Sequence, residues 1–129
     1  MPGPIPNVEG SIMLLEDRIV KFAAQCVKTC ALLPVKFIGS ANFADQMFRS
    51  ATSVAANYAE ACEAESSKDF VHKLKIAMKE LSETRIWLKL IGESGYIEGA
   101  KLVDLIAESK ELSRILSASV TTTKKRIGG

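Results

Sequence analysis

The stretch SSKDFVHKLKIAMKELSETRIWLKLIGESG, residues 66–95, decides the fold. Ser66 followed by Asp69 is typical of a helix start, where the serine side chain caps a backbone N–H three residues later. Side chains suited to a helix interface then recur in steps of four and three residues, which predicts the seam of a bundle or coiled coil. Gly92 and Gly95 follow where the repeat ends, as is usual after a helix. The predicted seam consists of Phe70, Leu74, Ala77, Leu81, Thr84, Leu88 and Ile91.

Three further helices are predicted around this one. The first runs from about Asn7 to Ala31, and Pro34 ends it because proline cannot continue the hydrogen-bond ladder. The second starts near Asn42, a plausible cap, and runs to about Ala64; the fourth spans about Glu98 to Thr123. Their apolar residues also recur in steps of three and four. The expected core residues are Ile12, Leu15, Ile19, Phe22, Cys26 and Cys30 in the first helix, Phe43, Met47, Val54, Tyr58 and Ala61 in the second, and Leu102, Leu105, Leu112 and Leu116 in the fourth, with Val103, Ile106 and Ile115 alongside.

These elements indicate an all-α, up-and-down antiparallel four-helix bundle in a single domain. No segment alternates with period two over a useful length, and short connections favour antiparallel neighbours. We expect residues 1–6 to form a flexible N-terminal arm, residues 7–123 the bundle, and residues 124–129 a basic tail.

Bulk composition restricts the classes of function. The chain of 129 residues is long enough to bury one core. Its net charge of +2 is too small to argue for nucleic-acid binding by itself. No run of 18 apolar residues is present, so no transmembrane span or membrane partner is expected. The first ten residues lack the pattern of a secretory signal, and we expect a cytoplasmic location.

No enzyme pattern is found, and we expect no catalytic residue, no cofactor and no bound metal. A di-iron bundle needs carboxylates from all four helices and two Glu-x-x-His pairs. This chain has one histidine, His72, and neither a nucleophile with a base beside it nor a glycine-rich phosphate loop. Cys26, Cys30 and Cys62 match no disulfide framework or zinc spacing, and we interpret them as small core residues.

A line of polar residues runs along one side of the second helix, among several alanines. Arg49, Ser53, Asn57 and Glu60 fall within a narrow arc away from the apolar stripe. One interpretation is a solvated face. The other is a contact face, where small neighbours let another backbone approach and partly buried polar groups must hydrogen-bond one another.

A second pattern is basic. Lys68, His72, Lys75 and Lys79 lie on the third helix opposite its seam, and the tail adds Lys124, Lys125 and Arg126. A solvated face is one interpretation. The alternative is a site for nucleic-acid phosphates, to which lysines would give a salt-dependent attraction without sequence preference. No aromatic residues interleave with these charges, so no base-stacking platform is predicted.

Residues 48–97, FRSATSVAANYAEACEAESSKDFVHKLKIAMKELSETRIWLKLIGESGYI, carry a family resemblance. They are similar to small four-helix-bundle proteins encoded inside intervening sequences of bacterial 23S ribosomal RNA genes. The likeness extends over about residues 43–97. One departure is the ACEAES stretch after Glu60, where the family commonly has glycine and basic residues. The matching positions are Arg49, Ala51, Val54, Asn57, Ala59, Glu60, Ser67, Phe70, Ala77, Gly95, Tyr96 and Ile97.

The resemblance implies an all-helical protein that assembles into a ring-like homo-oligomer, a pentamer. It also implies that Arg49, Asn57 and Glu60 form a buried polar network at a subunit contact. Trp87, beside the main seam of the third helix, is a second candidate for that contact. A ring requires two different faces of each subunit to match.

A more distant resemblance is to the accessory proteins of diversity-generating retroelements, which bind a reverse transcriptase and nucleic acid. The expected function is therefore scaffolding or weak binding of RNA, DNA or a nucleic-acid enzyme. The alternative is a protein-binding adaptor, for example of a reverse transcriptase, with no direct nucleic-acid role.

Overall fold

The computed structural model describes residues 5–6 and 12–128, with side chains from residue 14 onwards, and these residues form four α-helices. The helices are α1 (Leu15–Cys30), α2 (Ser40–Cys62), α3 (Ser67–Glu93) and α4 (Val103–Arg126). A short 3₁₀ turn, Gly99–Lys101, precedes α4. Ahead of α1, two-residue strands β1 (Ile5–Pro6) and β2 (Ile12–Met13) pair antiparallel.

The predicted architecture is confirmed: the four helices pack as an antiparallel bundle. α2 packs against both α1 and α3, and α4 packs against α3. α1 and α4 close the bundle through their more loosely packed edge, where the Arg18 guanidinium holds both carboxylate oxygens of Glu108 at 2.7 and 2.8 Å. The chain therefore forms an all-α fold, in which the α1–α2 pair and the α3–α4 pair lie on opposite sides of the bundle.

The predicted seam of α3 is buried along its whole length, which confirms the period read from the sequence. Leu102, Leu105, Leu112 and Leu116 of α4 are buried as well, and Ile106 and Ile115 pack half-buried beside them, but the prediction is wrong for Val103, which is 59% exposed. The predicted core residues of α1 and α2 are buried except Cys30 and Phe43, which pack half-buried against the core. The side chain of Ile12 lies outside the described residues. The buried set contains Leu15, Ile19, Phe22, Cys26, Met47, Val54, Tyr58, Ala61, Leu102, Leu105, Leu112 and Leu116.

The ends of α3 also follow the prediction. Ser66 is the N-cap, and its hydroxyl oxygen accepts a hydrogen bond from the Asp69 backbone N–H at 3.0 Å. After Glu93, Gly95 adopts a φ of 76°, which glycine reaches without steric cost. The Tyr96 N–H then donates to the Ile91 carbonyl, which closes the helix end.

The predicted start of α1 at Asn7 is wrong, because the helix begins at Leu15. Ile12 and Met13 pair with β1 instead of continuing the helix, and Leu14 is extended at ψ 148°. Glu16 and Asp17 then occupy the first turn of α1, where carboxylates are favoured by the helix dipole. The predicted arm, residues 1–6, lies outside the described residues except for Ile5–Pro6.

The predicted cap of α2 at Asn42 is also wrong. Gly39 precedes the helix with a φ of 85°, and Asn42 lies in the first turn. The Ser40 hydroxyl donates to the Pro34 carbonyl at 2.5 Å, so the turn before α2 is held by serine and glycine.

The boundaries of α4 differ from the prediction at both ends. The helix begins at Val103, because Gly99–Lys101 form the 3₁₀ turn, and it continues to Arg126. Lys124, Lys125 and Arg126 lie in its last turn and not in a tail, since cations at a helix C-terminus are favoured by the dipole. In the described part of the chain, no helix combines the length and the apolar character that crossing a membrane requires.

Candidate nucleic-acid interface

The lysine-rich face of α3 lies on the outside of the bundle. Lys68, His72, Lys75 and Lys79 are all exposed. An α-helix rises ~1.5 Å per residue, so these four side chains extend over about 16 Å of its axis. The seam on the other side of α3 is fully buried, and the core therefore fixes the outward direction of the basic face.

The last turn of α4 extends this face. Lys124, Lys125 and Arg126 are exposed there, beside the N-terminal half of α3, because the two helices run antiparallel. The Lys124 side chain lies next to that of Lys75. The hydrogen-bond contact with Lys75 and, second, its like charge lower the pKa of Lys124, since both disfavour the protonated form. The fold thus joins two clusters that the sequence shows only as separate segments.

We call this surface the basic patch. Among residues 14–128, none of its members forms an ion pair; the ion pairs of that range are Arg18–Glu108, Arg49–Glu80, Arg49–Glu83, Lys73–Glu60 and Arg114–Glu111. The patch can therefore offer its positive charge to an external anion. Its members are Lys68, His72, Lys75, Lys79, Lys124, Lys125 and Arg126.

Two shallow hollows lie beside the patch, and residues 68–79 of α3 expose no Phe, Tyr or Trp side chain. Lys75 and Lys79 line a shallow hollow of about 330 Å³ with Met78. Arg126 lines a second hollow of about 400 Å³ at the N-terminus of α3. Phe70, the one Phe, Tyr or Trp residue between Lys68 and Lys79, is buried in the core. Contacts to phosphate carry no base information, so this surface would bind without sequence preference.

The polar line of α2 faces α3 of the same chain. Arg49 donates to Glu80 at 3.0 Å and to the Glu83 carboxylate, and Glu60 accepts from Lys73 at 3.0 Å. These partners lie on α3.

The other members of this line are bonded within α2. Asn57 donates to the Ser53 carbonyl at 2.9 Å and to the Ser53 hydroxyl at 3.0 Å. Arg49 and Glu60 are exposed in the single chain, so the line is a bonded helix edge there and not a buried network. Its place at a subunit contact stays a prediction.

Trp87 continues this edge. Its Nε1–H donates to Glu83 at 3.0 Å, and its ring packs edge-on against Phe43 with centroids 5.7 Å apart. The bonds from Trp87 and Arg49 lower the pKa of Glu83, because they favour the charged carboxylate. Trp87 is half-buried in the single chain, where Glu83 and Phe43 contact it.

The buried polar contact between α2 and α3 was missed by the sequence reasoning. The hydroxyl oxygens of Ser50 and Thr84 lie 2.8 Å apart, and both residues are fully buried. Thr84 was predicted in the seam, but nothing in the sequence pairs it with Ser50. The signal that was available is a polar residue at a seam position, which requires a partner once it is buried.

The cysteines occupy core positions. Cys26 is buried, and burial raises its thiol pKa to about 12. Cys30 and Cys62 are half-buried against the core, which agrees with their interpretation as small core residues. In the described part of the chain, no three His, Cys, Asp or Glu side chains come together in a way that could hold a metal ion.

Comparisons with known proteins agree with the resemblance. A family model described as 23S rRNA-intervening sequence protein matches residues 16–118. A crystal structure of a protein of unknown function from the S23 ribosomal protein family of Bacteroides thetaiotaomicron is similar, with 32% identity and a TM-score of 0.75. That alignment covers 83% of this chain and 98% of the other. The comparison with curated proteins gave no match.

Proposed function

Because this chain belongs to the 23S rRNA-intervening sequence protein family, we propose that it is a non-catalytic, cytoplasmic scaffold that assembles with copies of itself and binds nucleic-acid phosphates. The observation that carries the binding proposal is the basic patch, in which exposed lysines of α3 and α4 come together and form no ion pair with residues 14–128. Lys75 on α3 and Lys124 on α4 lie side by side in this patch, so that one phosphate between them would contact both.

Binding is electrostatic and weak for each subunit. Every phosphate neutralised by a lysine releases condensed counterions, so affinity falls as salt rises. The patch is repeated on each copy in a homo-oligomer, so several weak contacts act together on one nucleic acid. For the assembly we propose the ring expected of the family, with five copies.

The binding proposal is tested by fluorescence anisotropy with labelled RNA and DNA of mixed sequence. Lys75→Glu with Lys79→Glu reverses two charges of the patch. The matched control is Lys21→Glu with Lys28→Glu, which reverses two exposed charges on α1 at the same net charge. All four positions are exposed, so the fold is retained.

We expect the patch variant to lose at least tenfold in affinity, and the α1 variant to stay within about threefold of wild type. Added salt should weaken the wild type steeply. Equal losses in both variants would mean that the net charge and not the patch attracts nucleic acid. An affinity indifferent to salt, or no binding at all, would favour the alternative of an adaptor that binds another protein.

A further inference from the structure

The connection between α1 and α2 exposes an unusual amount of apolar surface. We call residues 32–38, LLPVKFI, the apolar loop. Val35 is 94% exposed and Ile38 is 92% exposed, and Leu32 and Phe37 are exposed in the same turn. Isolated apolar residues on a surface are ordinary, but four within seven residues form a patch that marks an interaction site.

The apolar loop is held in place by the rest of the fold. Leu33 is buried in the core, and the Phe37 ring packs on Tyr96 with centroids 5.1 Å apart. The Tyr96 hydroxyl donates to the Ile38 carbonyl. Val35 and Ile38 therefore project outward from a fixed turn, and little conformational entropy would be lost when they are buried.

An apolar cavity lies on the opposite side of the bundle, between the C-terminal end of α3 and the N-terminal end of α4. Its volume is about 480 Å³. Lys89 and Glu93 supply its charged groups. Gly99 also lines it, and a Cβ at that position would meet no atom within 4 Å. The apolar side chains lining this cavity are Leu88, Leu102, Val103 and Ile106.

We propose that the apolar loop of one copy inserts Val35 and Ile38 into this cavity of a second copy. The inference rests on the self-assembly part of the proposed function and names the two surfaces that make the contact. The cavity offers Lys36, the one charged residue of the loop, an anionic partner in Glu93, which lies beside one cation, Lys89.

The geometry suits an assembly of parallel subunits. The loop and the cavity lie at the same end of the bundle, as the contact between Phe37 and Tyr96 shows, but on its opposite edges. Two different surfaces make a heterologous contact, and each copy then keeps a free loop or a free cavity for the next one. Such a contact extends from copy to copy until the assembly closes.

Two variants of the full chain separate the surfaces. Val35→Asp with Ile38→Asp places charges on the loop, and both positions are so exposed that the fold is retained. Val103→Asp places a charge in the lining of the cavity at a position that is 59% exposed, so the fold is retained. Val20→Asp, at an exposed valine on α1, is the control for adding a charge to an apolar surface residue.

Sedimentation velocity at 20–100 µM protein is the readout, with circular dichroism to verify folding. We expect wild type and the Val20 variant to be oligomers, and the loop and cavity variants to be monomers on their own. Mixed in equal amounts, these two variants should give a dimer and nothing larger, since one supplies an intact cavity and the other an intact loop.

Each other outcome overturns a defined statement. A monomeric wild type defeats the proposed self-assembly, and this inference with it. An oligomeric wild type whose loop and cavity variants stay oligomeric leaves the assembly standing and defeats the inference alone. Monomeric variants that fail to form a dimer when mixed would show that the loop and the cavity do not contact each other and bind elsewhere.

Discussion

Replacing Thr84 by valine removes a hydroxyl from the buried polar contact between α2 and α3 while keeping the shape of the side chain. The Thr84 hydroxyl lies 2.8 Å from the Ser50 hydroxyl and 2.8 Å from the Glu80 carbonyl. After the change, the Ser50 hydroxyl keeps the Met47 carbonyl at 3.4 Å, which is a poor hydrogen bond. A buried polar group without a good partner costs about 1–3 kcal/mol, so we expect a loss of about 1–2 kcal/mol.

The reciprocal change, Ser50→Ala, should cost less. Thr84 would keep the Glu80 carbonyl as its partner, so a loss of about 0.5–1 kcal/mol is expected. The double variant has no hydroxyl left to satisfy, because replacing both partners by apolar groups can be nearly neutral. Its loss should therefore be smaller than the sum of the single losses by about 0.5 kcal/mol or more.

Urea unfolding followed by circular dichroism measures these differences. All variants are compared at one protein concentration, because assembly adds to apparent stability. Strictly additive losses, or a Thr84→Val change within about 0.3 kcal/mol of wild type, would refute the reasoning that the two hydroxyls depend on each other.

Three further predictions concern single side chains. Ser66→Ala removes the N-cap of α3 and should cost about 1 kcal/mol in urea unfolding, and no measurable cost would contradict the capping role. The pKa of Glu83 lies below its ordinary value in the folded chain, so its contribution to stability is present above pH ~4.5 and is lost as the pH falls through the folded-state pKa. Glu83→Gln should therefore lose less stability than wild type between pH 5 and pH 3, and equal losses would contradict this. Cys26, buried with a raised thiol pKa, should react with a thiol reagent at pH 8 much more slowly than the half-buried Cys62, and equal rates in single-cysteine variants would contradict the assignment.

The sequence predicted the parts of this fold that depend on neighbours along the chain. The steps of three and four from Phe70 to Ile91 identify the buried side of α3, because a helix repeats every 3.6 residues. The Ser66 cap and the turn at Gly95 were predicted for similar local reasons. The local pattern failed before Leu15. The spacing of Ile12 and Leu15 fits a helix, but Ile12 and Met13 pair as a strand.

The sequence pattern could not predict which residues of two helices contact each other. The polar line of α2 indicated a special face, but the register that places Arg49 against Glu80 and Glu83 is set by the packing of two helices. The same holds for Lys75 and Lys124, which are far apart in sequence and become neighbours only through the antiparallel pairing of α3 and α4.

The most direct test of the central claim is the slope of log affinity against log salt for a duplex RNA or DNA. If about four lysines of the basic patch each neutralise one phosphate, the slope should be about −3.6. Lys75→Glu with Lys79→Glu should bring it to about −1.8 or flatter, whereas the α1 control variant should keep the wild-type slope. A wild-type slope near zero, or one unchanged by the patch variant, would contradict the account.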